Sequence, residues 1–191
     1  MDEQLLISQE ISIYGCYTSV CILVGSIVAG VYNFHVSAIL GFLLSITSYM
    51  HWKQVMIFSW IKIIDSLLAS TLILNITFVD SSRFHPTYRL IWIAAVGTVV
   101  VVFVMNEILL YYQVKNPIYV GEISSSHYRY FSTYYTEPGT TQREYAEYRS
   151  TFTHIISIHI MLVGVCIYCT YNSYYSQLLP IEENLKISGS C

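Results

Sequence analysis

Charge is what this 191-residue chain has least of: Asp, Glu, Lys and Arg make up 11 % of it, against 54 % hydrophobic residues. An average soluble domain carries about 25 % charged residues. The shortage excludes a disordered tail, a collagen, a basic nucleic-acid-binding module and a water-soluble enzyme. A net charge of −3 says less than its distribution, because no Asp, Glu, Lys or Arg lies anywhere between Ile11 and Trp52. As one helix that run would extend about 63 Å, roughly twice the hydrocarbon core of a bilayer, so it must fold back on itself. P-loop, dinucleotide fingerprint, nucleophile elbow and internal repeats are all missing. The acidic start Met1-Asp2-Glu3-Gln4 lacks the basic stretch that opens a cleaved signal peptide, so the first apolar segment is expected to be retained.

What the chain has instead is five long apolar segments, at about residues 14–32, 34–50, 55–79, 90–112 and 151–171. Together they predict one multi-pass membrane domain over 1–191, an all-α bundle of about five transmembrane helices. Helices satisfy their own backbone groups in lipid, and continuous apolar runs exclude a barrel of alternating strands. Asn33 and His35 mark a polar turn between the first two segments. The connection 113–150, rich in tyrosine through SSSHYRYFSTYYTEPGTTQREYAEYRS, is expected at the membrane–water boundary as an interfacial loop or a lid over a ligand or partner. Pro138-Gly139 predicts a turn there, and 142–149 a short interfacial helix. Five spans place the termini on opposite faces. Lys53, Lys115, Arg129, Arg143 and Arg149 then share the N-terminal face, against Arg83, Arg89 and Lys186 on the other. The positive-inside rule therefore predicts a cytoplasmic N-terminus.

Each ionisable side chain inside a span costs roughly 2.5–3.5 kcal/mol on insertion scales and calls for an explanation. Lys62, Asp65, Glu107, His154 and His159 lie within the segments, with His51 at the mouth of the second. Traced along the expected topology, all six fall in the half of the membrane nearest the N-terminal face, joined by Thr47, Ser48, Asn106 and Ser157. The other half holds no comparable group, which argues against a polar path through the membrane. Two readings follow. In one, Lys62 and Asp65 pair at (i, i+3), Glu107 snorkels and the histidines are satisfied structural hydrogen-bonders. In the other, several helices converge on a polar pocket where neutral imidazoles and a carboxylate form a ligand set for zinc. His154 and His159 are five apart, about 140° around an ideal helix. Joint ligation therefore requires a helix start between them or a π-bulge.

The stretch LLSITSYMHWKQVMIFSWIKIIDSLLAS resembles the signature of the alkaline ceramidase and progestin/adipoQ receptor superfamily. There a Ser and a His four residues apart end the second helix, and an Asp follows near the start of the third. A pair of His on the last helix completes the set, to which FTHIISIHIML is similar. Small proteins of large DNA viruses and algae carry a similar pattern, a serine-rich helix ending in Tyr-x-His/Trp-Trp followed by Ile-Asp. The resemblance implies a zinc site using His51 with His154 or His159, Asp65 positioning a water, and Thr47 or Ser48 as hydroxyl partner. It implies hydrolysis of a lipid amide such as ceramide. The chain departs from that pattern in having Thr47 in place of the Ser, a final His spacing of five in place of four, and five spans in place of seven.

Other constellations are weaker. Cys166 and Cys169 share a helix face as in membrane thiol oxidoreductases, but the shuttle pair such enzymes need is missing, since Cys16 falls at the opposite face. Haem would need His51 and His154 facing each other across two helices. Asn75-Ile-Thr77 matches the glycosylation sequon but lies inside a span. Gly25, Ser26, Ala29 and Gly30 suit close helix packing. Three functions remain in view. The first is a binding or structural membrane protein contacting membrane lipids and no nucleic acid. The second is a zinc-dependent lipid amidase, and the third a small carrier or channel using Asp65, Lys62 and Glu107.

Overall fold

A computed structural model describes residues 9–55, 59–113 and 141–188, and it is all-α, with no strand among them. The helices are α1 (Gln9–Val31), α2 (His35–Lys53), α3 (Trp60–Phe78), α4 (Pro86–Gln113), α5 (Thr141–His154) and α6 (Val163–Ser188). A single 3₁₀ turn, Asp80–Arg83, follows α3, and a π-helical segment, Ile155–Leu162, joins α5 to α6 in one continuous rod. Among the described residues, four stretches are long and apolar enough to cross a membrane: Gln9–Val31, Trp60–Arg83, Pro86–Asn106 and Tyr148–Ser176. The second helix, expected as a fifth span, runs beside them over 19 residues but falls short in hydropathy, because it carries three serines, a threonine and two histidines.

Boundaries differ from the sequence reading in instructive places. The third helix starts at Trp60 instead of residue 55, because Ser59 caps it by accepting a hydrogen bond from the Ile61 amide at 3.2 Å. The fourth starts at Pro86, the residue type that suits a first helical turn. The last rod begins at Thr141, so the helix expected at 142–149 does not lie apart but runs on into the last span. Most of the tyrosine-rich connection, 114–140, lies outside the described residues.

α1 shows how the bundle is built. Its buried residues are Ser12, Gly15, Ser19, Ile22, Ser26 and Ala29, spaced alternately by three and four. That is the 3.5-residue period of a left-handed helix pair, and α2 covers it. The seam is small and polar, while Tyr17, Val20, Ile27 and Val31 face outward, each more than half exposed. Large apolar residues outside and serines inside suit a lipid surround, where close packing drives association. Gly41 brings α2 against Ser26, whose hydroxyl donates to the Ala38 carbonyl at 2.7 Å.

The turn between α1 and α2 follows from Asn33, which holds φ at 63° as asparagine tolerates. The Phe34 amide donates to the Ala29 carbonyl at 2.8 Å and the Asn33 amide to the Gly30 carbonyl at 3.1 Å, a Schellman closure. Arg83 then stands 4.2 Å over the Phe34 ring and donates to the Asn33 carbonyl at 2.9 Å.

This far end of the bundle is not free of buried ionisable groups, contrary to the sequence reading. Asp80, expected in a connection, is buried. Its Oδ2 accepts from Ser37 of α2 and, at 3.2 Å, from Asn75 of α3. Asn75 also donates to Ser37 at 2.9 Å, which gives the sequon asparagine a structural role. Asp80→Ala leaves two buried donors unmatched and is expected to cost about 2 kcal/mol. A lowered thermal midpoint in detergent, with Asp80→Asn falling between it and wild type, checks this.

Candidate functional site

At the N-terminal face the structure gathers the histidines that the sequence singled out. His154 and His159 lie on either side of the α-to-π junction, and their ring centroids are 5.1 Å apart. A π turn holds one more residue than an α turn, so residues five apart return to one face. Trp52, the residue after His51, fills the centre: its ring lies 5.4 Å from that of His51, 5.3 Å from His154 and 6.2 Å from His159. Gly15 makes room for it, since a Cβ there would stand 2.1 Å from Trp52 Cδ2.

A hydrogen bond ties one imidazole to α1. Thr18 Oγ1 has a single proton, directed at the backbone carbonyls of Tyr14 (2.9 Å) and Gly15 (3.2 Å). The same oxygen lies 2.8 Å from His159 Nδ1, within hydrogen-bond distance. Among the described residues, His51 Nδ1, Trp52 Nε1 and Thr151 Oγ1 are buried without a hydrogen-bond partner. The unmatched atoms of His51 and Trp52, whose rings are 5.4 Å apart, offer a place for polar ligand atoms or water.

The remaining candidates sort into pairs. Asp65 is buried on α3 and accepts from Thr47 of α2 at 3.1 Å. Ser48 is buried and accepts from Ser19 at 3.3 Å. Asn106, also buried, accepts from Arg149 at 2.9 Å and from Thr153 at 3.4 Å, which ties α4 to α5. Ser157 is buried inside the π segment. Lys62 lies one turn before Asp65 on α3 and within electrostatic reach of His51. The side chain of Glu107 lies outside the described residues.

Directly beneath this layer lies a cavity of about 70 Å³ that opens in part to the outside. Its walls come from α1 to α4, the π segment and the start of α6, and they are almost wholly apolar. Ile22 follows Ser19 by one turn, Leu44 precedes Ser48 by one turn and Ile158 adjoins His159, so the cavity starts where the polar layer stops. Leu72, Ile73, Ile76 and Trp92 carry it toward the far face. This apolar interval separates the histidine layer from the Asp80 cluster.

No protein-family model, curated protein or solved structure matches the chain. The site is therefore judged on its own donors. Among the described residues, no group of three or more His, Cys, Asp or Glu is gathered to hold a metal ion. His154 and His159 are brought together, but they form no closed ligand set with His51 and Asp65. Cys166 and Cys169 are free thiols, with Cys169 donating to the Tyr88 carbonyl at 3.3 Å. Sequence reasoning missed Trp52 and Thr18. An aromatic residue at a helix end reads as an interface anchor, and only its pairing with Gly15, at the matching level of α1, hints at burial.

Proposed function

We propose that this chain is an integral membrane protein that binds a single-chain amphiphile. The polar end sits in the histidine layer at the N-terminal face and the hydrocarbon in the cavity beneath. The carrying observation is the abrupt junction between the two environments: the buried polar residues Ser19, Ser48 and His159 at one end, apolar walls beginning within a turn of them. Few polar anchors above an apolar shaft is the general form of a small-molecule site. The excess of basic residues on the N-terminal face supports placing it in the cytoplasm.

The test uses quenching of Trp92, which is 1 % exposed and lines the cavity. In a Trp60→Phe background, 9,10-dibromostearate is expected to quench saturably. Ala69→Phe, which fills the cavity wall, is expected to weaken that binding about tenfold, the loss of roughly 1.4 kcal/mol of apolar contact. Non-saturable quenching that is the same in both proteins refutes the proposal.

A second reading, a zinc-dependent lipid amide hydrolase, is favoured by the His154–His159 juxtaposition. His51, His154 and His159 would be the ligands, with Asp65, Thr47 and Ser48 beside them. Bound zinc would supply Lewis-acid polarisation of an amide carbonyl. About one zinc per chain in detergent-purified protein, lost in His51→Ala, favours it. Stoichiometric absence from folded protein removes it and leaves amphiphile binding.

A further inference from the structure

At the face opposite the histidine layer, four tyrosine rings close a circuit. Tyr32, at the end of α1, lies 6.3 Å from Tyr171 and 5.0 Å from Tyr174, centroid to centroid. Tyr175 completes it, 4.6 Å from Tyr171 and 5.7 Å from Tyr174. Tyr171, Tyr174 and Tyr175 share one face of α6 at the i, i+3, i+4 spacing, and each is more than 40 % exposed. The candidate spans end at Val31 and Ser176, so the circuit sits at headgroup level. An aromatic belt needs tyrosines at this height but not their convergence from two helices into a ring.

A cation over such a circuit lies within about 6 Å of several ring centroids at once, the range of cation–π attraction. A quaternary ammonium has no N–H to satisfy, so ring faces suffice to replace its loosely held water. A primary ammonium surrenders strong hydrogen bonds to water in the same place. We propose that the Tyr32–Tyr171–Tyr175–Tyr174 circuit binds the trimethylammonium headgroup of a choline phospholipid. This site is independent of the amphiphile site at the other face.

Native mass spectrometry of the full chain, equilibrated with equal amounts of chain-matched phosphatidylcholine and phosphatidylethanolamine, tests it. Retention of the choline lipid is expected to exceed that of the ethanolamine lipid about threefold or more. Tyr171→Phe is expected to keep the preference and Tyr171→Trp to raise it. Tyr171→Leu with Tyr174→Leu is expected to abolish it. Tetramethylammonium chloride is expected to displace the choline lipid where equal sodium chloride does not. Equal retention of the two lipids by wild type overturns the proposal. So does a preference that survives the double leucine variant or disappears in the phenylalanine variant. If the leucine variant does not fold, an unchanged preference in Tyr171→Trp overturns it.

Discussion

Replacing Gly15 with alanine is expected to disrupt the N-terminal face of the bundle and take the histidine layer with it. The added Cβ would stand 2.1 Å from Trp52 Cδ2 and 2.5 Å from its Cε3 and Cγ. No rotation of a flexible tip relieves contacts with the root of an indole. Trp52 is 4 % exposed and has imidazoles against it from α2 and from the α5–π rod, so it has nowhere to retreat. Overpacking of this kind costs about 1–3 kcal/mol, and a rigid aromatic puts the expected loss at the upper end. Helix propensity runs the other way, favouring alanine by up to about 1 kcal/mol. Gly97, where a Cβ meets nothing within 4 Å, isolates that gain: Gly97→Ala is expected to raise the thermal midpoint in detergent while Gly15→Ala lowers it. Trp52→Leu should rescue Gly15→Ala, so the double-mutant cycle has a large coupling energy. An unchanged midpoint in Gly15→Ala would show that Trp52 is not held against α1, and the geometry argued for the site would go with it.

The sequence makes the class of this protein plain because lipid leaves few choices. A run without charge from Ile11 to Trp52 has to double back, and Asn33 is the residue that tolerates the left-handed turn. The grouping of His51, Asp65, Asn106, His154 and His159 at one end was legible for the same reason, since helix direction alone fixes depth. Lateral arrangement was not. Whether His154 and His159 share a face depends on the local hydrogen-bond register of one helix, which neither hydropathy nor charge encodes. The Asp80 cluster stayed hidden because Asp80-Ser81-Ser82-Arg83 reads as a polar connection. Its burial depends on Ser37 and Asn75, 43 and five residues away, offering matching groups. Trp52 escaped notice because its partner is a glycine, a residue that reports space and not chemistry.

Deleting Ile156 is expected to leave the histidine pair standing, whereas inserting an alanine beside it should break the pair. In the π segment His154 and His159 share a face with four residues between them. Removing one residue gives an α-helix in which they are four apart, about 40° around the axis and again on one face. α6 keeps its register, because a π turn differs from an α turn by that single residue. Ile156 is 55 % exposed, so little packing is lost, and the α-helix is the more favourable backbone. The deletion variant should therefore melt at or above the wild-type midpoint. With an insertion, the two histidines are six apart, about 240° around an α-helix, and His159 is carried away from Thr18. A buried imidazole nitrogen deprived of its Thr18 contact then costs about 1–3 kcal/mol, read as a lower midpoint. The quenching assay adds the functional arm, because dibromostearate affinity should survive the deletion and fall with the insertion. Equal damage from both would mean that the extra residue is needed in its own right, as a strained or mobile element. Survival of the deletion alone would mean that a spacing of five in a π turn and a spacing of four in an α turn build the same pair. The departure in His spacing from the ceramidase and adipoQ-receptor pattern would then be one of backbone register and not of site geometry.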